Sequence, residues 1–161
     1  MTKQELATRI WATANELRKN IKASEYKDYI LGFMFYKYLS DKEISYLREK
    51  GGESEEDLID LEQETITMIK EQNGYFIAYN DLFSVWRKKG IHLGAKDVSE
   101  AIGRFYDNIG EKHQRFFENI FSVLASGLTK LGENAGSRDS AVRSIIDLIW
   151  QIPPKSKEYD V

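Results

Sequence analysis

Apolar residues recur at three- and four-residue spacings along almost the whole chain, a period that predicts helices rather than strands. The first such segment places its apolar residues on one side of a helix: Leu6, Ile10, Trp11, Ala14, Leu17 and Ile21. The opposite side carries charged residues, among them Arg9 and Glu16. The pattern therefore predicts an amphipathic first helix whose apolar face needs a partner.

The next segment, EYKDYILGFMFYKYLSDK from Glu25 to Lys42, is apolar on two opposite sides of a helix. A helix that is apolar all round is either enclosed by other helices or spans a membrane, and this one is too short and too charged to span. We therefore expect the central helix of a bundle, with Ser24 as its N-cap, continuing to Lys50 over roughly 40 Å and ending at Gly51-Gly52. Lys37 lies near the main apolar side, and we expect its ammonium to extend to water.

The rest of the chain predicts five further helical or compact segments and one extended segment. The first is a thin amphipathic helix in the polar segment that begins at Glu53, and it stops near Asn73-Gly74. It is followed by an extended Tyr75 to Tyr79, which could form a short strand or a buried crossing, and by a short helix capped by Asn80-Asp81 and closed by Gly90. The last three are a helix from Asp97 to Ile109 with Gly110 as its C-cap, an apolar cluster from Phe116 to Leu124 of helical or irregular backbone, and a last helix capped by Ser137 and stopped by Pro153-Pro154. The fold class is thus mainly α, a multi-helix bundle with a long central helix and at most one short extended segment or small hairpin. We expect one helical domain over residues 1–154, with 155–161 as the start of a linker.

Composition restricts the class of protein. The 161 residues include no cysteine, so neither a disulfide nor a thiol nucleophile is available. No apolar run approaches the roughly 18 residues that a bilayer requires. The N-terminus lacks the basic and apolar segments of a secretory signal, and we expect a cytoplasmic protein.

The formal net charge of −3 is unevenly distributed. Residues 53–72 contain eight acidic residues and one lysine, whereas residues 1–50 contain ten basic and seven acidic residues. The chain outside the acidic segment is therefore mildly basic, and its overall charge does not exclude an anionic partner.

Sequence motifs for common chemistry are missing. The chain has no phosphate-binding glycine loop, no dinucleotide fingerprint, no nucleophile elbow and no zinc-binding H-E-x-x-H. His92 and His113 are the only histidines, and both are expected at the surface or in packing rather than in catalysis. The acidic residues from Glu53 to Glu64 lack the spacing of a calcium loop and favour a solvated helix start over a cation site. No catalytic, cofactor-binding or metal-binding residue can be assigned.

Basic residues in the second half of the chain have two interpretations. Those at the end of the short helix can offset its macrodipole, or they can contact phosphates together with other cations nearby in sequence. The candidate phosphate contacts are Arg87, Lys88, Lys89, Lys96, Arg104, Lys112 and Arg115. Trp11, Trp86 and Trp150 lie on apolar stripes, and we expect them to anchor the core rather than to stack on bases.

Leu6 to Lys42, LATRIWATANELRKNIKASEYKDYILGFMFYKYLSDK, resembles the start of the methyltransferase (modification) subunit of type I restriction-modification systems. In that family, a helix with a Trp and a small-residue stripe precedes an S-E-Y-K-D-Y-I-L-x-x-x-F-x-K-Y-L-S-D segment. Shorter similarities follow at Gly74 to Ile77, Asn119 to Phe121, Gly132 to Asp139 and the terminal helix. The resemblance extends over essentially the whole chain.

The resemblance implies a helical N-terminal domain that precedes a catalytic domain binding S-adenosylmethionine and methylating adenine N6. The cofactor glycine motif and the Asn-Pro-Pro-Tyr/Phe motif of that catalytic domain have no counterpart here, because Pro153-Pro154 follows Gln151-Ile152. The implied partners are the specificity subunit, a second methyltransferase subunit, the restriction subunit of the full complex, and double-stranded DNA. In this interpretation the chain supports assembly and clamping on DNA, and the intact subunit is the enzyme.

Two other classes stay open at this point. A stand-alone DNA-binding or protein-interaction module would require an exposed recognition surface, and no helix has several basic or amide residues on one side of its start. A self-contained enzyme would require paired reactive groups, and no pair has recognisable catalytic spacing.

Overall fold

The computed structural model describes residues 2–17, 23–51, 55–126 and 128–151. Within these ranges the chain forms seven α-helices: α1 Lys3–Leu17, α2 Ala23–Gly51, α3 Gln63–Asn73, α4 Phe83–Lys89, α5 Ala95–Asp107, α6 Gln114–Ser126 and α7 Ala135–Trp150. Short 3-10 helices occur at Glu55–Asp60, Tyr79–Asp81, Gly90–His92, Glu111–His113 and Leu128–Leu131. The mainly α prediction is confirmed. Ile21, Pro153-Pro154 and the expected linker at 155–161 lie outside the described residues.

Glycines end two helices as predicted. The 29-residue α2 runs to Gly51, a length of about 43 Å at the usual rise. Gly74 follows α3 in the left-handed region at φ 86°, and its N–H donates to Lys70 O, which closes the last turn.

The caps of three helices differ from the predictions. α2 begins at Ala23, so Ser24 lies inside its first turn. α7 is capped by Asn134, whose side chain accepts from Ser137 N at 2.9 Å, and Ser137 is therefore the third helical residue instead of the cap. α5 begins at Ala95, before the predicted start at Asp97, whose carboxylate accepts from Gly94 N–H at 2.8 Å.

The predicted extended segment is a buried crossing. Tyr75, Phe76 and Ile77 are buried, and Tyr75 forms an isolated antiparallel bridge with Ile109. Gly110, the predicted C-cap of α5, instead donates its N–H to Gly74 O at 2.9 Å, because α5 ends at Asp107 and its C-cap is Asn108. The two glycines thus join the crossing to the end of α5.

α2 packs against α4, α6 and α7, and aromatic rings fill the space between them. Tyr36 of α2 stacks on Trp86 of α4 with a centroid distance of 4.5 Å and an interplanar angle of 6°. Phe105 and Phe121 meet the Tyr36 ring edge-on from α5 and α6. The central position predicted for this helix is confirmed.

Although α2 is central, it is not enclosed on every side. Leu31 and Tyr38 are 51% and 58% exposed, and Met34 lies between them on the same face at helical spacing. Part of the apolar surface of α2 therefore stays uncovered by the described residues.

The three tryptophans differ in burial. Trp86 is buried in the core as predicted, whereas Trp11 is exposed and the prediction that it anchors the core is wrong. Trp150 is partly exposed, but its ring stacks on the buried Phe83 at a centroid distance of 6.4 Å. Trp150 lies at the end of α7 with its ring 5.8 Å from Lys37 Nζ. The Lys37 ammonium does not extend to water as expected, because it pairs with Asp41 at 2.6 Å and its side chain is largely buried.

Candidate functional site

A ladder of polar side chains follows the inner side of α2, where sequence alone predicts apolar contacts. Tyr36, Ser40 and Glu43 are all buried, and each makes a hydrogen bond to the segment between Ile77 and Phe83. Tyr36 OH donates to Asp81 O at 2.7 Å, Phe83 N donates to Ser40 Oγ at 3.2 Å, and Ile77 N donates to Glu43 Oε1 at 2.7 Å. Tyr75 OH also donates to Leu39 O at 2.7 Å. The ladder satisfies backbone groups of a non-helical segment in the core, which gives it a structural function.

Glu43 supplies the carboxyl group of the ladder, and its pKa is shifted. Burial raises the pKa of Glu43 to about 8, and the hydrogen bond from Ile77 N–H only partly opposes this increase. Its second oxygen, Oε2, has no hydrogen-bond partner among the described residues. A protonated carboxylic acid is therefore the form that the core favours at neutral pH.

The two tyrosines of this region are held neutral. Burial is the main reason that the pKa values of Tyr36 and Tyr75 are raised, and the nearby carboxyl groups add to it. Both hydroxyls donate to backbone carbonyls, so neither is available as a base. These perturbed groups are buried and hydrogen-bonded within the core, and we assign them no catalytic function.

Asp81 does not cap α4 as predicted and instead binds Arg104 of α5. The N-cap of α4 is Leu82, and the Asp81 carboxylate accepts from Arg104 Nε and Nη2, each at 2.8 Å. Asp81 is buried, whereas half of the Arg104 side chain remains exposed. The hydrogen bonds to Asp81 raise the pKa of the Arg104 guanidinium, and one predicted phosphate contact is thus already engaged by a carboxylate.

The other predicted phosphate contacts are distributed over three regions. Arg87, Lys88 and Lys89 form the last turn of α4, Lys96 lies in the first turn of α5, and Lys112 and Arg115 lie around the start of α6. Arg87 pairs with Asp147 at 3.0 Å, Lys88 with Glu55 at 3.5 Å, and Lys96 with Glu100 at 3.8 Å. Lys89, Lys112 and Arg115 form no ion pair with any carboxylate in the described ranges. Phosphate contact by these residues stays a prediction.

An aromatic surface is exposed on α2 and α6. Phe35 stacks on Tyr38 at 6.0 Å between ring centroids and meets Phe116 edge-on at 6.4 Å. Phe116 is 57% exposed and continues the surface formed by Leu31, Met34 and Tyr38. We call these five residues, Leu31, Met34, Phe35, Tyr38 and Phe116, the α2–α6 patch. Contiguous apolar surface of this kind is typical of protein interfaces.

The geometry offers neither a metal site nor a membrane span within the described residues. No group of three or more His, Asp or Glu side chains that could hold a metal ion occurs among them. Glu55, in the acidic segment, accepts from Ser84 Oγ at 2.7 Å and so packs against α4. None of the described helices is both long and apolar enough to cross a bilayer.

Comparison with known proteins gives one family and one related fold. Residues 6–149 match the family model of the HsdM N-terminal domain. The structure is also similar to a crystal structure of the type I restriction-modification system methyltransferase subunit from Streptococcus thermophilus, with a TM-score of 0.71 and 23% sequence identity. The match covers 95% of this chain and 35% of that one, and at this identity it supports the fold alone. Because the family model spans most of its length, the chain belongs to the HsdM N-terminal domain family, the N-terminal domain of type I restriction-modification methyltransferase subunits.

Proposed function

We propose that this chain is a non-catalytic helical module that supports subunit assembly and clamping on DNA in a type I restriction-modification methyltransferase. The rest of the subunit then methylates adenine N6 with S-adenosylmethionine. The proposed partners are the specificity subunit, a second methyltransferase subunit, the restriction subunit of the full complex, and double-stranded DNA. A cytoplasmic location fits these partners and is part of the proposal.

The α2–α6 patch is the observation that carries this proposal. Its residues come from two packed helices, and the inner sides of the same helices already form the core. Removing apolar and aromatic surface from water lowers the free energy roughly in proportion to the area buried, so contact of this surface with another protein is favourable. We therefore propose that the patch contacts protein of the methyltransferase assembly, and that DNA is bound elsewhere on the domain.

The cofactor does not fit the residues present. The chain contains neither the glycine motif nor the Asn-Pro-Pro-Tyr/Phe motif of the family's catalytic domain. The perturbed groups that the structure offers, Glu43, Tyr36 and Tyr75, are buried in packing contacts. We therefore assign no residue of this chain to S-adenosylmethionine or to methyl transfer.

The test compares two pairs of substitutions in the intact subunit. The first pair, Leu31→Ser with Tyr38→Ser, removes apolar area from the patch. The second pair, Ile59→Ser with Met68→Ser, removes apolar side chains that are equally exposed outside the patch and is the matched control. Each protein is mixed with the specificity subunit and a duplex containing its target, and we measure assembly by light scattering and methylation with labelled cofactor.

We expect the patch variant to associate about tenfold more weakly or worse, since large side chains at an interface centre account for much of the binding energy. Methylation should fall with assembly, while the control variant and the circular dichroism of both proteins stay unchanged. Assembly and methylation that match the wild type in the patch variant would overturn the proposal.

A further inference from the structure

A groove lined by both apolar and polar residues lies between the turn that follows α4 and the outer side of α7, with Leu93 and Ile146 among the apolar ones. It has a volume of about 300 Å³, and its lining includes Arg87, Gly90, Ser140, Arg143, Ser144 and Asp147. The buried ring of Trp86 also borders it. The groove combines residues that are more than 50 positions apart in sequence, which explains why no linear motif indicates it.

The turn on one side of the groove is held in a fixed conformation. Gly90 adopts φ 53° and ψ −123°, a conformation that side chains disfavour, and it reverses the chain after α4. Arg143 Nη1 donates to Ile91 O at 2.9 Å and to Leu93 O at 3.2 Å, which ties the turn to α7. Ile91 is left 80% exposed at the rim. A ligand would therefore meet a preorganised surface.

Several hydrogen-bond donors in the groove have no partner among the described residues. The hydroxyls of Ser140 and Ser144, one turn apart on α7, form no hydrogen bond with any of them. Arg143 uses Nη1 for the turn, and Arg87 uses Nε for its pair with Asp147. Each guanidinium has five N–H donors, so both keep donors available. Two guanidinium groups and two hydroxyls match the acceptors of a phosphate group.

The charge around the groove is positive. Arg87 and Arg143 line the groove together with the carboxylate of Asp147, which pairs with Arg87, while Lys88 and Lys89 follow in the same turn of α4 outside the lining. The Lys88 and Glu55 pair is long at 3.5 Å, and the lysine side chain is mostly exposed, so this pair is weak in water. The nearby carboxylates therefore only partly neutralise the positive charge that attracts an anionic ligand to this end of α4.

We propose that this groove binds a phosphate of the duplex DNA backbone, with Arg87, Arg143, Ser140 and Ser144 as its donors and Lys88 and Lys89 near the neighbouring phosphates. This inference rests on the proposed function and gives it a specific DNA-contacting surface. Phosphate contacts of this kind fix the position of a protein without reading sequence. Lys88 and Lys89 point in other directions from the same turn of α4 and add positive charge that favours a polyanion. Arg143, Ser140 and Ser144 were absent from the candidates that the sequence suggested.

The test uses this chain and a short fluorescent duplex, with binding measured by anisotropy over a series of salt concentrations. Arg87→Gln replaces the positively charged guanidinium with a neutral amide, and Ser144→Asp places a carboxylate in the groove. Arg48→Gln and Ser45→Asp make the same changes of charge at exposed positions of α2 and are the matched controls. Unlabelled duplex and polyglutamate are compared as competitors.

We expect each groove variant to weaken binding about fivefold or more, and the slope of log K against log salt to fall by about 0.9 for each phosphate that the variant no longer neutralises. The control variants should stay within about twofold of wild type, and only the duplex should compete. No binding by wild type at low salt, equal weakening in the controls, or weaker binding with an unchanged salt slope would overturn the inference. Equal competition by polyglutamate would also overturn it, in favour of an acidic protein segment.

The outcome is independent of the assembly experiment. The groove variants should still associate with the specificity subunit, and the α2–α6 patch variant should still bind DNA. Failure of the phosphate site therefore leaves the assembly proposal in place, and the converse holds as well.

Discussion

Glu43→Gln tests whether the buried carboxyl group of α2 is protonated in the folded protein. Glutamine has nearly the same shape, and its side-chain oxygen can accept the hydrogen bond from Ile77 N–H that Glu43 Oε1 accepts at 2.7 Å. The substitution removes the ability to ionise and preserves this contact. Comparison of the two proteins across pH therefore isolates the cost of ionising the buried group.

The magnitude follows from the pKa of Glu43 in the two states. Burial raises this pKa from the usual 4.5 to about 8. Each pKa unit corresponds to about 1.4 kcal/mol, so the difference is worth about 5 kcal/mol in total. Because the folded-state pKa is raised, the stabilising contribution is fully present below about pH 4.5 and is lost as the pH rises to about 8. Between these limits the unfolded state releases a proton that the folded state retains, and stability falls by about 1.4 kcal/mol per pH unit.

The assay is urea unfolding followed by tryptophan fluorescence, from about pH 5 to about pH 9 for wild type and variant. We expect the stability of Glu43→Gln relative to wild type to increase with pH and to level off above about pH 8. A constant difference in unfolding free energy between the two proteins, independent of pH, does not affect this expectation, since the amide brings its own hydrogen-bond donors into the core. Glu49→Gln, at an exposed position of the same helix, is the control and should give a flat difference. Parallel stability curves for wild type and Glu43→Gln would refute the reasoning.

Two further substitution pairs test the packing around the ladder by thermal or urea unfolding. Arg104→Ala should lower the free energy of unfolding by about 2 to 3 kcal/mol, because it leaves the buried Asp81 carboxylate without its two hydrogen bonds. Asp81→Asn should lower it less, because no charge is left buried. Equal losses of stability in the two variants would contradict this explanation. Gly74→Ala should cost about 1 to 2 kcal/mol because Gly74 has φ 86° and an added Cβ would lie 2.7 Å from His113 Cδ2. Its control, Gly103→Ala in α5, has open space around the added Cβ and should stabilise by about 0.5 to 1 kcal/mol, so a loss of stability there would argue against the backbone explanation.

The sequence predicted the helices because their apolar periodicity depends only on local spacing. The central position of α2, the end of α3 at Gly74 and the buried crossing at Tyr75 to Ile77 were all recognisable from residue type and period. The caps were less predictable, since Asn134 and Ser137 can each cap a helix and the choice depends on which backbone N–H lies closer.

The residues that form the interaction surfaces could not be predicted, because they depend on which side of each helix finds a neighbour. The pattern of α2 showed two apolar sides, yet only the packing of α4, α6 and α7 determines that Leu31 and Tyr38 remain exposed. The groove joins Gly90 to Ser144 across the fold, and no local spacing encodes that contact. Glu43 did carry a signal, because a charged residue on the inner side of an apolar helix requires a hydrogen-bond partner.

The polar ladder also has a consequence for how the chain reaches its native state. Its hydrogen bonds join residues that are 34 to 45 positions apart, so they can form only after a long loop has closed. Loop closure of this kind is entropically costly and slows folding relative to a bundle built from local contacts. A nascent chain that has not yet emerged as far as Phe83 would hold Ser40 and Glu43 without their native partners, and α2 would gain its full stability late in synthesis.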